Sequence, residues 1–102
     1  MHIAIPVDNQ ELNEAKIAPL ANATNWAIIN FDEGEVKSIH SAPSWQESGV
    51  DWLDFIVLEN KFENILDFMN EGIMVLVRRE GQESIEEIME AFKFKELDEA
   101  GF

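Results

Sequence analysis

Carboxylates dominate the side chains that could do chemistry in this sequence. Asp8 closes the first apolar run, where a two-metal hydrolase would place a ligand, and Asp32, Asp51, Asp54 and Glu59 are its available companions. Such chemistry needs several carboxylates focused on one point, and in so acidic a chain some fall beside apolar runs by chance. His2 and His40 are the only imidazoles, and their spacing gives no reason for them to converge; soft metal sites ask for more nitrogen or sulfur donors than two unlinked histidines. There is no cysteine, which excludes a disulfide framework, a thiolate zinc site, a cysteine-ligated iron–sulfur cluster and a cysteine nucleophile. Arg78 and Arg79 are the one adjacent basic pair, with Glu80 and Glu83 close enough to neutralise them. Trp26, Trp45 and Trp52 invite a recognition role, since tryptophan is enriched at interaction hot spots. Trp26 opens a strand and reads as core; Trp45 lies among polar residues and is the better exposed contact, although packing on its own sheet is the simpler reading.

The bulk composition narrows the partners. With 102 residues, 46% hydrophobic and 27% charged, the chain has a globular mix and the length of one domain, residues 1–102. Its formal net charge is −14, with 7 Lys and Arg against 21 Asp and Glu. Nucleic-acid affinity rests on basic side chains releasing phosphate counterions, so nucleic acid and anionic membrane are poor partners; a basic protein, a cation or a basic groove would suit the charge, but the simpler reading is that the acidity confers solubility. No run approaches the ~20 apolar residues of a membrane helix, and the start Met1-His2-Ile3-Ala4-Ile5-Pro6-Val7 lacks the basic region of a signal peptide. A cytoplasmic protein is expected.

The elements that would position these groups alternate between strand and helix. Ile3 to Val7 is apolar on both faces and reads as a buried strand. Asp8 to Asn25 reads as a long polar loop. Trp26 to Phe31 and Val36 to Ser41 flank Asp32-Glu33-Gly34-Glu35 as a hairpin, and Leu53 to Leu58 suits a central strand. Asn60 with Glu63 has capping-box spacing, and Phe62, Ile65, Leu66 and Met69 then repeat as one apolar helix face closed by Gly72. Ile73 to Val77 is a buried strand. A last helix is capped by Ser84 and Glu87, with Ile85, Ile88, Met89 and Phe92 inward and Glu83, Glu86, Glu87 and Glu90 in solvent. Three early strands followed by strand–helix–strand–helix make a layered α/β domain.

In this order and spacing, Ile3-Ala4-Ile5-Pro6-Val7-Asp8, the hairpin Trp26 to Phe31 with Gly34-Glu35-Val36-Lys37, Phe55-Ile56-Val57, Glu71-Gly72-Ile73-Met74-Val75, the Ser-initiated acidic helix and Leu97 resemble the dinitrogenase iron–molybdenum cofactor biosynthesis family, the nitrogenase accessory-factor domain. The resemblance spans most of residues 1 to 97. It implies a three-layer, ribonuclease-H-like fold with a mixed five-stranded sheet. It also implies a role in carrying an iron–molybdenum or iron–sulfur cluster, with no catalysis by the carrier.

The ligand loops depart from that family. Where members carry a segment like His-Phe-Gly-Arg, this chain has Pro19-Leu20-Ala21-Asn22, without imidazole or guanidinium. Where members have a glycine-rich segment and a full helix, Pro43 to Asp51 leaves room only for a turn or a very short helix. Where members have a glycine-rich turn, Leu58-Glu59-Asn60-Lys61 would crowd a group brought near the backbone. The expected function is therefore a non-catalytic binding or carrier protein whose cluster site, at Pro19, Leu20, Ala21, Asn22, Glu59, Asn60 and Lys61, is degenerate. The alternatives are an acidic interaction module using the hairpin edge and Trp45, and a metal-dependent hydrolase built on Asp8.

Overall fold

The computed structural model describes residues 1–100. Six strands form one mixed sheet in the order β3-β2-β1-β4-β5-β6. They are β1 His2–Val7, β2 Asn25–Asp32, β3 Glu35–Ala42, β4 Phe55–Leu58, β5 Met74–Val77 and β6 Asp98–Glu99. β1 runs parallel to β4, and β4 to β5, while β2, β3 and β6 pair antiparallel to their neighbours. No helix is long and apolar enough to cross a membrane.

Alternation along the strands divides the core between two faces. Ile3, Ile5, Val7, Ile29 and Val57 meet Ile85, Ile88 and Met89 of helix α2, Ile85–Lys93. Ala4, Ile28, Ile56, Leu58 and Val75 point the other way and meet Phe68 of helix α1, Leu66–Asn70, with Leu53 and Ile73. The hairpin turns through Glu33 (φ 54°) and Gly34 (φ 77°), the two left-handed residues a two-residue turn between twisted strands requires. Helix α2 carries the expected capping box, with Ser84 Oγ accepting from Glu87 N at 3.1 Å and Glu87 Oε1 accepting from Ser84 N at 3.0 Å.

Four expectations need correction. The sheet has six strands and not five: Glu99 and Asp98 pair with Leu76 and Val77 along the free edge of β5. The fourth strand begins at Phe55; just before it, Asp54 N donates to His2 O at 2.9 Å while Asp54 Oδ2 accepts from His2 N at 2.9 Å, closing the start of β1. Residues 8–25 are ordered by distant bonds, with bridges Val7–Ile17 and Lys16–Ser84 and a 3-10 turn at Leu20–Asn22. Finally, the helix expected from Asn60 onwards is only Leu66–Asn70, and its buried anchor is Phe68, 3% exposed, while Phe62 is 86% exposed. The physical reason is aromatic: the Phe68 ring stands edge-on to Trp45 at 5.1 Å and to Trp26 at 6.3 Å. Seating Phe68 there turns Leu66 and Met69 outward. Between Ala42 and Phe55 the chain makes turns and no helix; of the turn or very short helix that Pro43 to Asp51 left room for, it takes the turn.

Candidate functional site

In open α/β sheets, ligands bind beyond the carboxyl ends of the parallel strands, where the chain leaves a central strand in both directions. Here that place lies beside the end of β1, whose neighbours are β2 and β4. Of β1, only Ile3 and Ala4 pair with β4. Past Ala4, the side of β1 turned toward β4 is taken by the chain's own segment 16–18. The Pro6 carbonyl accepts from Ala18 N at 3.0 Å, and Asp8 N donates to Lys16 O at 3.1 Å. Pro6 faces this side with a carbonyl that accepts but no N–H to donate, and the ladder to β4 ends before it, at Ala4. Asp8 Oδ1 accepts from Lys16 N at 2.9 Å, so the carboxylate that sequence reasoning offered to a metal acts as a loop clip.

The turn at Leu20–Asn22 reaches the segment after β4 not through Glu59 to Lys61 but through Glu63, which sequence reasoning had assigned elsewhere. Leu20 N donates to Glu63 Oε2 at 2.6 Å, tying the turn Leu20–Asn22 to the segment after β4. A charged acceptor within the fold therefore satisfies this backbone donor. Asn60 Oδ1 accepts from Phe62 N at 2.9 Å and Asn64 Oδ1 from Leu66 N at 3.0 Å, so neither extends the helix back to Asn60. Ala21, Asn22 and Lys61 are exposed, and the Lys61 ammonium lies 5.5 Å from the Phe62 ring centroid.

Glu59 is equally committed. Its Oε1 accepts from Arg78 Nη2 at 2.7 Å, its Oε2 from Asn60 Nδ2 at 2.8 Å, and its backbone carbonyl from Arg78 Nε at 3.1 Å. The Asn60 amide first, and then the Arg78 guanidinium, hold the Glu59 carboxyl below the usual carboxylate range. A cavity of about 310 Å³ beside this pair is lined by Glu59, Asn60, Lys61 and Arg78, and by none of residues 19–22.

The remaining candidates are dispersed. Asp54 and Asp8 lie at opposite ends of β1, and Asp32 Oδ1 accepts from Glu33 N at 3.0 Å at the hairpin tip. His2 and His40 lie on strands separated by β2, and His40 Nε2 is 2.7 Å from the Ser48 carbonyl. Among the described residues, no three His, Asp or Glu side chains converge as a metal site would require. Arg79 pairs with Asp98 at 3.1 Å on the surface. Trp45 is half-buried against Phe68, and the tryptophan that does face solvent is Trp52. Sequence reasoning missed Glu63 because capping-box spacing gave it a local partner, and missed segment 16–18 because only distant bonds order it. Trp52 carried a usable signal: it is flanked by Asp51 and Leu53, and Leu53 is the one turned into the core.

No protein-family profile matches the sequence, and no curated protein matches it. Solved structures do. A crystal structure from Methanocaldococcus jannaschii, provisionally named as a dinitrogenase, is 18% identical, covers 99% of this chain and 95% of its own, and superposes with a TM-score of 0.75. A solution structure from Methanococcus jannaschii bearing the same provisional name is 21% identical, covering 100% and 94%, with a TM-score of 0.76. A solution structure from Thermotoga, provisionally named as a NifB protein, is 18% identical over 96% and 91%, with a TM-score of 0.69. At the level of its fold, then, the chain matches the dinitrogenase cofactor-biosynthesis-like proteins its sequence resembles.

Proposed function

We propose that this chain is a non-catalytic, cytoplasmic binding protein on the ribonuclease-H-like scaffold of nitrogenase-associated cluster carriers, and that it acts without gripping a cluster itself. The observation that carries this reading is the Leu20 N–Glu63 bond of 2.6 Å, an internal carboxylate seated on the loop where a carrier would hold its cargo. The rim residues do not fit an iron–molybdenum or iron–sulfur cluster. Such clusters are held chiefly by thiolates, with imidazole as the usual replacement. The chain has no cysteine; His2 stands at the opposite end of β1 and His40 on β3. The carboxylates at the rim, Asp8, Glu59 and Glu63, are already bonded within the fold.

The interaction-module reading is favoured by a separate observation: Trp52, Phe62, Leu66 and Met69 are exposed around α1. With so few basic side chains, the surface suits a protein partner and not nucleic acid or an anionic membrane.

The test is anaerobic reconstitution with ferrous iron and sulfide, followed by desalting, an iron assay and a visible spectrum. Iron well below stoichiometry, with no charge-transfer band, is expected. A stoichiometric, coloured centre retained through desalting would overturn the reading.

A further inference from the structure

Beside α1, a small acidic cavity opens next to the most exposed tryptophan. Trp52 is 56% exposed, and its indole lies 3.7 Å from where a Cβ on Gly72 would stand, against the C-terminal end of α1. Leu66, 62% exposed, and Met69 continue the apolar surface along the helix. Next to Trp52 is a cavity of about 250 Å³ whose walls include Trp45, Trp52, Leu53 and Ile73 and whose acids are Asp51 and Glu71. No Lys or Arg lines it, and among the described residues neither acid has an ion-pair partner.

From this arrangement we infer that the face formed by Trp52, Leu66, Met69 and the adjoining cavity docks a basic amphipathic segment of a partner protein. One arginine or lysine of that segment enters the cavity. A guanidinium or ammonium there gains indole faces and two carboxylates, which are the attractions a cation finds in a partly desolvated pocket. The partner's apolar side chains cover Trp52, Leu66 and Met69. A second copy of this chain is the poorer occupant, because two chains of net charge −14 repel. Helix α1 also has unspent capacity to meet a partner: Phe62 stands one helical turn before Leu66 in sequence, but its segment is held out of the helix while Glu63 is bonded to Leu20.

This inference deepens the proposed function by naming the surface and the kind of partner, and it can fail while the iron experiment succeeds. The probe is a synthetic helical peptide of Leu and Arg, compared with a Leu and Glu peptide and with oligoarginine. Calorimetry and backbone amide shifts provide the readout. The Leu–Arg peptide should bind and shift residues 45–53 and 66–73. Trp52→Ala should weaken it about tenfold or more, and Asp51→Asn with Glu71→Gln by a comparable factor. Trp52 is exposed, so folding should survive; Leu66→Gln is a second variant on the same face. Three results would each overturn the inference: oligoarginine binding equally well, shifts centred on the acidic side of α2, or a self-association abolished by Trp52→Ala.

Discussion

Phe62 and Phe68 stand on either side of the start of α1 and meet opposite environments. Phe68 fills the space between Trp26 and Trp45, whereas Phe62 projects into solvent. Truncating a buried phenylalanine leaves a cavity that its neighbours only partly close, so Phe68→Ala should lower unfolding free energy by about 3–5 kcal/mol. Phe62→Ala should change it by no more than about 0.5 kcal/mol. Urea denaturation of both variants checks this, and equal losses would mean that the sequence-derived helix face is the buried one. At the same scale, Glu59 gives a pH dependence with a defined sign. Its folded pKa is depressed, so the stabilisation is complete above the ordinary carboxylate pKa and is lost as pH falls through the depressed value. Glu59→Gln should therefore be less stable than the parent at neutral pH, and the gap should close on acidification. A gap that stays constant through the acid range would remove Glu59 from the account of rim stability.

Among the elements, α2 was fully legible because its signals are local: Ser84 and Glu87 cap each other, and Ile85, Ile88 and Met89 recur at helical spacing. The hairpin was legible for the same reason. α1 was not, because periodicity reports that Phe62, Ile65, Leu66 and Met69 share a side without reporting whether that side faces the sheet. The tryptophan pair that decides the matter comes from β2 and from the loop after β3, both distant in sequence. β6 is two exposed acids with no apolar period, and only the free edge of β5 makes it a strand. The tie between the turn Leu20–Asn22 and the segment after β4 can be tested as an element. Glu63→Ala leaves the Leu20 amide without its charged acceptor and should cost about 1–2 kcal/mol. Hydrogen exchange should quicken at residues 20–22 while β1 and α2 keep their protection. Unchanged exchange at Leu20 would show that the Glu63 bond does not hold the turn.

For the whole molecule, the resemblance in sequence anticipated the α/β fold, and β1 and β4, which precede the two suspected loops, are neighbours in the sheet. What the sequence withheld is how that rim is closed, since Lys16–Ala18 against β1 and Glu63 against Leu20 are long-range bonds between residues with no distinctive local pattern. On the proposed reading, this rim is where a carrier would hold its cargo, and the chain's own carboxylate and backbone already bond there. Paramagnetic iron offers the most direct look at that position. In an amide spectrum recorded while ferrous iron and sulfide are added anaerobically, the signals of Leu20, Ala21, Asn22, Glu59, Asn60 and Lys61 should persist without selective broadening. Selective loss of those signals at stoichiometric iron, with the remainder of the spectrum intact, would contradict the closed rim.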